Sequence, residues 1–69
     1  MPQNTIEIDA ARVNDPVVVG EVVYNTKIGA LQTVESFDQD LIGCVWFAPD
    51  YTLCREMFER KHLWPVLHW

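Results

Sequence analysis

"GCVWFAPDYTLCREMF", residues Gly43 to Phe58, holds both cysteines, one of three tryptophans and two of three phenylalanines. Its reading decides the fold. With Leu41 and Ile42 in front, the run Leu41 to Phe47 is apolar on both alternating faces: Leu41, Val45 and Phe47 on one, Ile42, Cys44 and Trp46 on the other. That is the pattern of a strand covered on both sides. Ala48-Pro49-Asp50 is a turn signal, and Tyr51 to Met57 reads as the returning strand. The stretch is therefore expected to be a β-hairpin through the middle of a small core.

An antiparallel hairpin turning near Pro49 sets Cys44 and Cys54 nearly opposite each other. Opposed residues have Cβ atoms about 4.5–5.5 Å apart, while a one-residue slip sends the side chains to opposite faces. Structural zinc takes four ligands at short, paired spacings. Here nine residues separate the cysteines, there is no CxxC, and His62 and His68 are the only histidines. Arg55 is the one flanking base able to lower a thiol pKa. The expectation is two small buried hydrophobes, with no metal and no cofactor. A thiol or metal protein using Cys44 and Cys54 is the alternative from a different class.

Outward from the hairpin, the rest of the chain also reads as β-structure. Val17 to Asn25 is rich in β-branched residues and reads as a strand, with Gly20 as a bulge or bend. Asn25 to Gly29 is a turn, Ala30 to Phe37 a second strand, and Asp38-Gln39-Asp40 a tight connection into the third. After the fourth strand, Phe58 to His62 reads as one helical turn. Trp64 to Leu67 reads as a closing strand marked as an edge by Pro65. Thr5 to Asp9 alternates like a short edge strand, and Asn14-Asp15-Pro16 is a turn. Residues 1–16 are thus an N-terminal arm and residues 17–69 one domain. The fold class is all-β: a small SH3-like antiparallel β-barrel of about five short strands, with a helical turn near the C-terminus. The expected core is Val18, Val22, Val34, Cys44, Trp46, Phe58 and Leu63.

Sixty-nine residues carry ten acids and five bases, a net charge of −5. Eight of the acids and two of the bases fall in residues 1–50, a local charge of −6. Such a field repels nucleic acid and anionic membranes and favours a basic protein partner. The start of the chain lacks a basic segment followed by an apolar run, and no apolar stretch nears the length of about 20 residues that spans a bilayer. A cytoplasmic protein is expected, with no direct nucleic-acid contact. Tyr24, Trp46, Phe47 and Tyr51 offer base-stacking area without the positively charged groove it needs.

No catalytic triad, phosphate loop or dinucleotide fingerprint is present, and an enzyme is not expected. Two surfaces are candidate binding sites. Glu35, Asp38 and Asp40 flank one hairpin turn and Asp50 sits at the next, forming an acidic partner-binding face. Trp64 and Trp69, within "HLWPVLHW", form an aromatic tail suited to partner binding or self-association, because Trp is enriched at interface hot spots.

Several pieces carry a resemblance: Gly20-Glu21-Val22-Val23, Gly29, Thr33-Val34-Glu35, Cys44-Val45-Trp46-Phe47, Phe58 and Leu63. In order and spacing this resembles the YodC-like family of small uncharacterised bacterial and phage proteins, over about two thirds of the chain. Gln32 stands where that family usually has Met, and Thr26-Lys27-Ile28-Gly29 replaces its glycine turn. The resemblance implies an SH3-like barrel with Cys44 in the core and transfers no catalytic residue. The functional expectation is a non-enzymatic protein-binding module, a phage-encoded, anti-CRISPR-like inhibitor whose carboxylates occupy a basic nucleic-acid groove on a host complex. The alternative is a housekeeping adaptor or homodimer of the YodC-like kind.

Overall fold

The computed structural model describes residues 7–67. Five strands, β1 (Val22–Asn25), β2 (Ala30–Asp38), β3 (Leu41–Phe47), β4 (Leu53–Glu59) and β5 (Leu63–Pro65), form one antiparallel sheet in the order β4-β3-β2-β1-β5. Two single 3-10 turns, Ala10–Arg12 and Arg60–His62, are the only helical elements among the described residues. The chain is all-β. No described helix is long and apolar enough to cross a membrane.

The sheet makes its own core by bending through β2. Its first part pairs with β1 (Val22 opposite Thr33, Tyr24 opposite Leu31), and its later part pairs with β3 (Val34 opposite Cys44, Phe37 opposite Ile42). Between Val34 and Ser36 the register shifts, leaving Glu35 as the extra residue of a bulge, a device that bends a strand and sharpens its twist. The two wings therefore meet. Val23 and Leu63 from one share a buried cluster with Val34, Ile42, Cys44 and Phe58 from the other. Trp46 packs on this cluster, its ring 6.0 Å from that of Phe58 at a tilted angle that aromatic pairs favour.

Two of the expected core residues are misplaced by one. Val18 is 61% exposed and Val22 is only half-buried, while Val17 and Val23 are buried in their stead. The cause is Gly20, at φ +94°. It breaks the expected strand Val17–Asn25, so β1 begins at Val22 and the inward positions fall on Val23 and Asn25. The C-terminal half shifts in a similar way. Tyr51 takes φ +66° and closes the loop with its N–H on the Ala48 carbonyl (2.8 Å), which delays β4 to Leu53. Phe58 stays in β4, opposite Ile42, and the helical turn starts only at Arg60.

The arm lies against the body. Ile8 bridges Val66, the Asp9 N–H donates to the Pro65 carbonyl, and the Leu67 N–H donates to the Glu7 carbonyl (both 2.9 Å). Arg12 makes a close ion pair with Glu21, whose other oxygen accepts the Val18 N–H at 3.2 Å. Of the expected edge strand, Thr5 and Ile6 lie outside the described residues.

Candidate functional site

The four carboxylates of the expected acidic face do not share a surface. Asp38 and Asp40 sit at the β2–β3 hairpin, and Asp50 sits in the β3–β4 loop at the other end of β3. Seven residues of strand put those ends about 20 Å apart. Glu35 lies on the bulge between them and is paired with Arg55 (3.3 Å), which cancels much of its field. Asp50 is engaged locally. Hydrogen bonds from Thr52, including its backbone N–H at 3.0 Å, hold the carboxyl below its usual pKa. This is an Asx turn, a structural use of the residue.

Asp38 and Asp40 remain. Both are exposed, and neither joins a salt bridge among the described residues. The Asp38–Leu41 pair closes a two-residue loop, and Leu41 faces Glu59 on β4, a third carboxylate in the same row that is loosely paired with Lys61 and His62, both at 3.7 Å. Leu41, on the same face as Asp38, is 39% exposed, and Phe37, on the other face with Ile42, is 49% exposed. The hairpin end thus combines free negative charge with uncovered apolar surface. Sequence reading identified the acids but not this pairing with Phe37 and Leu41. The bulge at Glu35 is what breaks the alternation that would have placed them.

The cysteines are not opposed. Cys44 faces Glu56 and Cys54 faces Trp46, two pairs further along the ladder. The turn spans Ala48 to Thr52 rather than pivoting tightly at Pro49, so the two thiols are diagonal neighbours on one face. Both are free. Burial, aided by the charge of Glu35, pushes the Cys44 thiol from its ordinary 9.0 up to about 11. A thiol so protonated is a poor nucleophile at neutral pH. Among the described residues no group of three or more His, Cys, Asp or Glu side chains is placed to hold a metal ion.

Trp64 is placed opposite Tyr24 across the β1–β5 pair and, with Ile8 and Thr26, lines a shallow apolar depression. It is 38% exposed, so the tail packs on the chain yet keeps an uncovered edge. Trp69 and His68 lie outside the described residues.

One polar pair escaped sequence reading. Asn25 and Gln32 are buried in the middle of the sheet. Asn25 Nδ2 donates to Gln32 Oε1 (2.9 Å), and Asn25 Oδ1 accepts the N–H groups of Lys27 (2.8 Å) and Ile28 (3.2 Å). Gln32 Nε2 is buried without a partner among the described residues.

No family model, no curated protein and no solved structure matches this chain.

Proposed function

We propose that this chain is a non-enzymatic protein-binding module that presents its β2–β3 hairpin to a basic surface of a partner. The observation that carries the reading is the hairpin end itself. Asp38 and Asp40 are exposed and have no cation partner among the described residues, while Leu41 lies uncovered on the face of Asp38 and Phe37 on the other face of the same hairpin end. Charge alone is commonly a solvated surface. Charge next to exposed apolar area supplies both steering and desolvation energy to a contact. The acidic balance of the chain adds a long-range field of the same sign.

In its finer form the partner is a nucleic-acid-handling host complex, and the carboxylates sit where phosphates would. The module is then an inhibitor of the anti-CRISPR kind built on a YodC-like, SH3-like scaffold. Support for this form comes from the resemblance and the charge. Glu35 and Asp50, held by Arg55 and Thr52, contribute less than Asp38 and Asp40.

The test is affinity capture from nuclease-treated host lysate by the tagged chain and by Asp38→Asn/Asp40→Asn. The expected result is one stoichiometric nucleic-acid-handling protein, held by the parent chain and lost by the double variant and at high salt. Equal capture by both chains would remove the hairpin from the interface. Salt-insensitive capture would move the contact to the Trp64 surface.

A further inference from the structure

We propose that β4 is a self-association edge: two copies of this chain pair β4 with β4, antiparallel, about a two-fold axis through Met57. Strand β4 is the outer strand of the sheet, and among the described residues no backbone hydrogen bond reaches its far side. The direction of its free groups is fixed. The Ala48 N–H donates to the Thr52 carbonyl at 2.9 Å, so the backbone of Thr52 points toward β3. Strand alternation then turns Cys54, Glu56 and Phe58 toward β3 and leaves the N–H and C=O of Leu53, Arg55, Met57 and Glu59 pointing outward. Seven residues of unpaired edge are a ready template for another strand.

The side chains select the partner and the register. A two-fold axis perpendicular to the sheet places one residue opposite its own copy. Centring on Arg55 or Glu56 sets like charges face to face, which is destabilising. Centring on Cys54 runs the pairing into the Thr52–Tyr51 turn, and centring on Phe58 runs it into the 3-10 turn at Arg60. Centring on Met57 avoids both faults. It sets Met57 against Met57 of the second copy and Arg55 against Glu59 of the second copy, twice by symmetry. The outward backbone groups of Arg55, Met57 and Glu59 then meet as hydrogen-bonded pairs.

Both charged side chains keep free capacity: Glu59 meets Lys61 Nζ and His62 Nε2 through Oε1 alone, both at a long 3.7 Å, which leaves Oε2 for a second guanidinium. The side chains of Arg55 and Glu59 are 64% and 60% exposed. Arg55 uses Nε on Glu35, which leaves the two terminal nitrogens of its guanidinium for a second carboxylate. At the centre, Met57 lies over Gly43, which has no side chain to hold it up, so two copies can approach closely there.

The experiment is sedimentation of the full chain over a concentration series, with charge-reversal variants. The parent chain is expected to dimerise. Arg55→Glu and Glu59→Arg each place like charges opposite one another and are expected to weaken the dimer about tenfold or more, since two pairs are lost per dimer. The combined Arg55→Glu/Glu59→Arg variant restores opposite pairs and is expected to recover it. Under oxidising conditions Met57→Cys, in a Cys54→Ser background, is expected to form a cross-linked dimer. A parent chain that stays monomeric at every concentration overturns the proposal. So does a dimer indifferent to either single reversal, or one that the combined variant fails to rescue. Circular dichroism of each variant shows that the chain remains folded.

Discussion

Asn25 is a residue whose work depends on burying a polar side chain completely. Its amide joins three things: the Gln32 side chain across the β1–β2 pair, and the N–H groups of Lys27 and Ile28 in the turn that follows. Its own carbonyl accepts the Gly29 N–H at 2.7 Å, and Gly29 closes the turn at φ +81°. Truncation to alanine strands Gln32 Oε1 in the core, next to a Gln32 Nε2 that already lacks a partner among the described residues. A buried orphan costs about 1–3 kcal/mol. Lys27 and Ile28 are exposed, so their N–H groups recover water and add little. Asn25→Ala is therefore expected to lower unfolding stability by about 2–3 kcal/mol, measured by urea titration. A loss under about 0.5 kcal/mol would mean that Asn25 is a passenger in the turn.

Among the elements, β3 depends on an absent side chain. Gly43 faces Ser36 on one side and Met57 on the other. A Cβ at Gly43 would overlap Ser36 Oγ and come within 3.2 Å of Met57 Sδ. Gly43→Ala is expected to cost about 1–2 kcal/mol, in the range of mild overpacking. Removing the hydroxyl first with Ser36→Ala should recover about half of that cost, and a thermodynamic cycle of the four proteins measures the coupling. Strictly additive costs would show that backbone freedom, not the Ser36 contact, is what Gly43 supplies. The same pair marks the limit of what sequence can show. Leu41–Phe47 was legible to the residue because unbroken apolar alternation admits one reading. The bulge at Glu35 was not legible, because it is a mismatch between two strands and leaves no mark in either alone. That bulge puts Phe37, rather than Ser36, on the face of Ile42 and Cys44. The Val18-for-Val17 error had a local cause, since Gly20 announced a bend but not which valine it would turn inward. All four acids were legible at their two turns, on either side of Leu41–Phe47, but only the structure shows that Arg55 pairs with Glu35 and that Thr52 engages Asp50.

Across the whole molecule, one side chain ties the two ends of the chain together. Arg60 donates to the carbonyls of Val13 (2.9 Å) and Asp15 (2.7 Å) on the arm, and to the carbonyl of Leu63 at the start of β5. A planar guanidinium can serve three carbonyls at once, where a lysine ammonium on a flexible stem holds no such fixed geometry. The arm also rests on the Arg12–Glu21 pair and on its ladder with residues 65–67, so Arg60 is one support among several. Hydrogen bonds to a charged donor contribute about 1.5–3 kcal/mol, and a chain of this length has roughly 3–10 kcal/mol in all. Arg60→Ala is therefore expected to remove about 2 kcal/mol. The loss should be uneven. The amides of Arg12 and Asp15, bonded within the arm at 3.0 Å, should exchange with solvent faster, while the amide of Cys44 in β3 should keep its protection until global unfolding sets in. Native-state hydrogen exchange reads both at once. Arg60→Lys should restore less than half of the lost arm protection. Equal acceleration of the arm and β3 amides would show that the arm and the sheet open as one unit, with Arg60 acting on the core rather than as a clasp between the ends.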